Sequence, residues 1–314
     1  MKRVLYLSHA TPEVYSIIRE VAPSEIELIT LDENSDDERR RKISGCEVVI
    51  VAATPLRKPA IDAAQRLELV HHQGVGWQDT TDHEALRARG IPLALTPEGT
   101  TVGVAEHTVL LILAALKLLP YADSELRQGR FHINALRPAS RELRGLTVGY
   151  LGMGRIAQAV AERLSAFGTR GIFFDPNVSA SDGLQSRSFE QVLSESDVLT
   201  LHLPLTAQTR HLIGAVQLAS MKRGAYLINT SRGGLIDQSA LVRALESGQL
   251  AAAALDVFET EPLPADHPLC RFRNVVLTPH IAAGTRDALQ TKMSALFSNV
   301  QRFYRGEPLA NRVF

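Results

Sequence analysis

Two doubly wound α/β domains with parallel sheets, the second inserted into the first, are what this sequence of 314 residues predicts. Three observations carry that prediction. Short β-rich runs alternate with helix-like stretches almost from end to end, the pattern of doubly wound sheets. Many of these runs are continuously apolar rather than alternating, as strands covered on both faces require. Two breaks, "LTPEGTT" at 95–101 and "AAGT" at 282–285, each lead into a long helix. A chain that begins one domain, builds another and returns would break there. The predicted division is 1–98 plus 286–314 for the outer domain and 99–285 for the inserted one.

The elements follow in order. "RVLYL" is a first strand, because the apolar run of "MKRVLYLSHATPEV" is too short for a signal peptide. "IELIT", "EVVIVA", "LELVHH" and "PLALT" complete the outer sheet. "TVGVAEHTVLLILAALKLL" predicts one helix over 101–119, whose longest uncharged part, 107–116, is far short of a membrane span. The inserted sheet is built from "LTVGYL", "GIFFD", "VLTLHL", "AYLINT", "AAALDV" and "NVVLT", separated by amphipathic stretches such as "IAQAVAERLSAF" and "SALVRALESGQL". The helix "RDALQTKMSALFSNVQRFYRG" returns to the outer domain, and a short "ANRVF" ends the chain.

Lys+Arg and Asp+Glu stand at 34 each, so no broad field draws nucleic acid or an anionic membrane, and neither is an expected partner. Cys46 and Cys270 are too few for a disulfide framework and are read as reduced thiols of a cytoplasmic protein.

The chemistry begins at "LTVGYLGMGRIAQAVAERLSAFG". Gly152-x-Gly154-x-x-Ala157 follows a strand and opens a helix, as in a dinucleotide fingerprint. Gly152 permits the tight turn and Gly154 lets the backbone approach a pyrophosphate, which a helix N-terminus attracts. Ala157 lets the helix pack closely on the sheet. Asp175 closes the next strand 23 residues after Gly152, where an acid would bind the ribose hydroxyls and repel a 2′-phosphate. The expected cofactor is therefore NAD (as NADH) rather than NADP. The competing reading is a βαβ unit with a surface aspartate.

Three more stretches end strands downstream: "LINTSRGGLID" with Arg232, "ALDVFETEPLP" with Asp256, Glu259 and Glu261, and "LTPHIAAGT" with His280. Ligands of open α/β sheets bind outside the C-terminal strand ends. A nicotinamide enzyme acting on a hydroxy acid needs a cation for the carboxylate, a group titrating near neutrality, and an acid to orient it. Arginine, histidine and glutamate suit these tasks. On residues alone, Arg232 could instead cap a helix, Glu261 could be a solvated charge, and His280 could be a structural loop residue. No second ligand at metal-binding spacing accompanies His280, so no metal is expected.

Five motifs in order, "VGYLGMGRIAQAVA", "LHLPLTAQTRHLI", "LINTSRGGLID", "AALDVFETEPLP" and "NVVLTPHIAAGT", resemble the D-isomer-specific 2-hydroxyacid dehydrogenases, nearly end to end. The resemblance implies a Rossmann NAD-binding domain inserted into a flavodoxin-like substrate-binding domain. It implies that Arg232 binds the substrate carboxylate and that His280 is the acid/base, paired with Glu261. Arg155 and Ile156 would meet the pyrophosphate through backbone amides. Leu203 and Pro204 would line the adenine side with Thr209 nearby, and Thr230 and Asp256 would sit near the nicotinamide. In "QGVGWQDTTD", the amides of Val75 and Gly76 would hold the other side of the carboxylate. The implied reaction interconverts a 2-keto acid and a D-2-hydroxy acid, of the glyoxylate or hydroxypyruvate type. A phosphoglycerate dehydrogenase and a corepressor-like NAD sensor are the alternatives. Three positions depart from the family pattern: Thr100 and Gln78 stand where Asn and Asp/Asn are usual, and Ala52 stands where phosphoglycerate enzymes tend to place Arg. The pairing with Glu261 rather than Gln argues against formate chemistry. A homodimer through the 101–119 helix is also implied, with no appended regulatory domain.

Overall fold

All residues 1–314 are described by the structure, a computed structural model. The chain divides into two units, Met1–Thr100 with Gly284–Phe314, and Thr101–Ala283.

In the first unit, β1 (Lys2–Tyr6), β2 (Ile26–Ile29), β3 (Val48–Val51), β4 (Leu69–His72) and β5 (Leu93–Leu95) form a parallel sheet in the order β2-β1-β3-β4-β5. This is the flavodoxin-like order. Every residue of β3 and β4 is buried, which is why their sequences show no alternation. The returning helix Arg286–Tyr304 packs Met293, Leu296, Phe297 and Val300 against Val4, Tyr6, Ile50 and Leu69 on one face of the sheet. Ile43, Ile61 and Leu86, from three short helices, fill the other face. His71 lies within β4 without disrupting it: burial pushes its pKa down to about 3, and the neutral ring is satisfied by Thr96 at 3.2 Å and Asn299 at 2.9 Å.

The second unit is a seven-stranded parallel sheet. Its strands are β6 (Thr147–Leu151), β7 (Arg170–Phe174), β8 (Leu184–Ser186), β9 (Val198–Leu201), β10 (Ala225–Asn229), β11 (Leu250–Leu255) and β12 (Val275–Leu277), in the order β12-β11-β10-β9-β6-β7-β8. The helices Thr101–Lys117 and Arg155–Ser165 cover one face, and Phe189–Glu195, Ala215–Ser220 and Gln238–Glu246 cover the other. This is the predicted fold class, two parallel-sheet α/β domains.

Two details differ from the sequence expectation. β8 is absent from the strand candidates: "LQS" holds one apolar residue, and as an edge strand it pairs on one side only. The helix expected over 101–119 ends at Lys117. Leu118 takes a left-handed conformation (φ 54°), and a second helix, Leu119–Arg127, leaves at 62°. Pro120 lies in its first turn, where its missing N–H costs nothing, whereas inside a continuous helix it would break a hydrogen bond. No single helix is long and apolar enough to cross a membrane.

Candidate active site

The predicted site residues of the second unit all lie just beyond the C-terminal ends of its strands. The loop after β6 turns at Gly152 (φ 88°), where a Cβ would come within 2.4 Å of the His202 carbonyl oxygen. Only glycine tolerates both constraints. Gly154 differs: a Cβ there would meet nothing within 4 Å. It caps the helix Arg155–Ser165, so the amides of Arg155 and Ile156 lie at an N-terminus facing open space. The protein itself has no need of a glycine at 154, but a closely approaching phosphate would. Ala157 is fully buried against the sheet.

Asp175 follows β7 and braces this loop. One carboxylate oxygen accepts the Met153 amide at 2.8 Å and the other accepts the Asn177 amide at 2.8 Å. Across from it, Leu203 would lie 3.0 Å from a Cβ on Gly152. The segment after it is closed by Thr209, whose hydroxyl donates to the Pro204 carbonyl at 2.7 Å. These residues gather around the helix N-terminus, an acid together with the apolar Leu203 and Pro204. Such a surface fits a dinucleotide: amides for the pyrophosphate, a carboxylate for a ribose, and Leu203 with Pro204 for the base.

Arg232 sits on the loop after β10. The buried Asn229 shapes that loop by donating to the Arg232 carbonyl at 2.9 Å and accepting the Ser231 amide at 3.0 Å. Thr230 is pinned from behind by the Thr108 hydroxyl at 2.9 Å. Gly233 brings the loop against the next one: a Cβ there would stand 1.9 Å from the Phe258 carbonyl carbon. That approach puts the Arg232 guanidinium close enough to Glu261 to act on its ionisation.

Glu261 and His280 meet. The imidazole Nδ1 lies 2.8 Å from Glu261 Oε2, while Glu261 Oε1 accepts the Phe258 amide at 3.0 Å. Burial alone would raise the Glu261 carboxyl. The hydrogen bonds from His280 and Phe258, with the charges of His280 and Arg232, outweigh it and hold the group below its ordinary value. An ionised Glu261 accepts only, so Nδ1 carries hydrogen and Nε2 is left as the outward, exchangeable nitrogen. The His280 side chain is 49% exposed.

Asp256 is fully buried and supports the His280 loop from within. Its Oδ1 accepts from the Thr278 hydroxyl at 2.5 Å and the Ile281 amide at 2.9 Å, and its Oδ2 accepts the Ala282 amide at 2.8 Å. Burial would raise this carboxyl too, but His107, 3.4 Å away, and the donors from Thr278, Ile281 and Ala282 hold it below its ordinary value. Nothing in the sequence singles out Thr278 or His107. The His107–Thr278 contact spans 171 residues, and no local pattern marks it.

In the first unit, Val75 and Gly76 lie on the loop after β4, and Val75 is exposed. Thr80 closes the loop by donating to the Gly76 carbonyl at 3.1 Å.

Residues 109–282 match the model of the NAD binding domain of the D-isomer specific 2-hydroxyacid dehydrogenases. The chain is 43% identical over 262 residues to a glyoxylate reductase of Aeropyrum pernix, which covers 81% of this chain and 78% of that protein. It is 37% identical over 284 residues to a D-3-phosphoglycerate dehydrogenase of Archaeoglobus fulgidus, covering 89% of this chain. It spans 53% and 59% of the length of two phosphoglycerate dehydrogenases it matches. Among solved structures, the TT0316 protein of Thermus thermophilus superposes with a TM-score of 0.89 over 100% of both chains at 33% identity.

Proposed function

The chain belongs to the D-isomer specific 2-hydroxyacid dehydrogenase family, and from that premise we propose that it interconverts a 2-keto acid and a D-2-hydroxy acid with NAD(H). The observation that carries this reading is the 2.8 Å contact between His280 Nδ1 and Glu261, on a loop packed against that of Arg232. In the reducing direction, bound NADH supplies the hydride that C2 of the keto acid accepts. Arg232 binds the substrate carboxylate and polarises the carbonyl. His280 Nε2 gives its proton to the oxygen as negative charge develops there, and Glu261 stabilises the imidazolium before transfer and keeps the ring in one tautomer afterwards. Hydride and proton together complete the hydroxy acid. Arg155, Ile156 and Asp175 hold the cofactor with Leu203, Pro204 and Thr209. Thr230 and Asp256 shape its nicotinamide end, and the amides of Val75 and Gly76 offer donors for an anion. His280→Ala should lower kcat by roughly 10²–10⁴-fold while NADH still binds; unchanged turnover would refute the assignment.

Glyoxylate or hydroxypyruvate is the proposed substrate type. The glyoxylate reductase relative is the more similar, at 43% identity, and nearly matches this chain in extent. Phosphohydroxypyruvate is the second reading, favoured by the names of the 37%-identical relatives. An NADH-oxidation panel over glyoxylate, hydroxypyruvate, pyruvate and phosphohydroxypyruvate separates them.

A homodimer is proposed through the 101–119 region and the segment beyond. Leu119, Leu126, Phe131 (74% exposed) and Ile133 (69%) stand in water there with Val102 and Leu110, an apolar display that a monomer seldom keeps uncovered. Light scattering should give twice the 34.3 kDa chain mass, and a monomer would refute the interface. A cytoplasmic location is proposed from the two unpaired thiols, Cys46 and Cys270.

A further inference from the structure

Behind His280 lies a second histidine that the reaction does not use. His107 is in the helix Thr101–Lys117, its side chain only 11% exposed. Its Nε2 is 3.0 Å from the Thr278 hydroxyl and 3.4 Å from Asp256 Oδ1. The proton roles follow from the geometry. The Thr278 hydroxyl has one hydrogen, and it is given to Asp256. The hydroxyl can therefore only accept from His107, so Nε2 is the donor. A chain of donors runs from His107 through Thr278 to the buried carboxylate, which also takes the Ile281 and Ala282 amides.

These hydrogen bonds support a strained stretch of backbone. His280 has φ 54°, a left-handed conformation that L residues other than glycine rarely adopt. Its own amide donates to the Asp256 carbonyl at 2.8 Å, so the loop at 278–282 wraps around that one aspartate. The helix lies along the same loop. Gly103, one turn before His107 and on the same face, has so little room that a Cβ would be 3.2 Å from the Ala282 carbonyl oxygen. The next residue, Thr108, bonds Thr230 at the foot of the Arg232 loop. Consecutive residues of one helix thus pin both loops that carry the chemistry.

We propose that His107 is a positioning residue for His280: it donates through Thr278 to Asp256 and so fixes the left-handed turn that aims the imidazole. This rests on the acid/base role proposed for His280, but the geometry of the turn can be read without it. The helix packs across β10, β11 and β12 through a buried face, so the loop is the member expected to shift when the contact is lost.

The test compares His107→Leu, which fills the space without a donor, with His107→Gln, whose amide can reach the Nε2 position. Turnover, NADH affinity and amide hydrogen exchange over 278–283 are measured in each. The Leu variant should lose about 10–100-fold in kcat, the scale of a misplaced reacting group, with NADH affinity within about twofold and faster exchange confined to the loop. The Gln variant should recover most of the turnover and slow exchange. A folded Leu variant with wild-type kcat and exchange overturns the proposal, and so does a Gln variant no better than Leu. If the Leu variant does not fold, His107→Asn, too short to reach Thr278, takes its place. If the wild-type protein reduces no keto acid, the proposed function fails. The exchange data then decide by themselves, with an unchanged loop overturning the role of His107.

Discussion

The loops after β6 and β7 and the loops after β10, β11 and β12 lie at the same end of one sheet, yet they are held in opposite ways. The first pair is held by backbone shape: Gly152 at φ 88° against His202, with Asp175 partly exposed and bonded to two nearby amides. The second group is held by burial. Asp256 has no exposed surface and gathers a hydroxyl and two amides from the His280 loop. Two aspartates one residue beyond their strands therefore do different work. The partly exposed one meets water as well as its two amides. The buried one keeps its oxygens for the protein, because an unsatisfied donor inside costs more than an exposed one. A surface that must take and release a cofactor is better built on rigid turns. A histidine that must be aimed needs support from beneath.

Breaking the buried side should have the largest effect. Asp256→Ala strands the Thr278 hydroxyl and the Ile281 and Ala282 amides, and should cost about 1–3 kcal/mol for each buried donor left unsatisfied, read in chemical denaturation. It should also abolish turnover. Because the folded carboxyl is held below its ordinary value, its contribution is complete above the ordinary carboxylate range and fades as pH falls through the lowered value. The wild type should therefore lose stability on acidification more steeply than Asp256→Asn. Equal slopes would show that this clamp is not what acid breaks.

The two glycines sharpen the contrast within the first pair. Gly152→Ala meets a carbonyl at 2.4 Å in a left-handed turn and should destabilise by roughly 1–3 kcal/mol. Gly154→Ala meets open space and should leave the melting temperature nearly unchanged while weakening NADH binding by tenfold or more, about 1.4 kcal/mol. If Gly154→Ala binds NADH normally, the open space is not the pyrophosphate site.

The smallest effect is expected at Asp175. Asp175→Asn keeps an acceptor for the Met153 amide but removes the charge, so the ratio of NADH to NADPH use should fall by about tenfold, again about 1.4 kcal/mol. A fixed ratio would assign Asp175 to bracing the loop alone.

Much of this architecture was legible because its signals are local. The continuous runs "VVIV" and "AYLI" are apolar along their length because both faces of the sheet are covered. The turn from β6 into its helix is written in closely spaced glycines. The break at Leu118 was not legible, because Pro120 is acceptable in the first turn of a helix and the apolar pattern runs through it unchanged. β8 was not legible because an exposed edge strand needs no apolar pattern.

The sequence by itself determined the class of fold, the cofactor turn and the identities of the residues able to do the chemistry. Hydropathy periodicity and glycine placement act over a few neighbouring residues. Only the tertiary structure decided that Gly233 must lie against Phe258, that the Glu261 carboxylate reaches Nδ1 of His280, and that His107 stands behind Thr278 across 171 residues. Those contacts depend on where the strand ends and one covering helix come to lie. That is set by the packing of the whole sheet, because the hydrogen bonds that aim a side chain are satisfied in space and not along the chain.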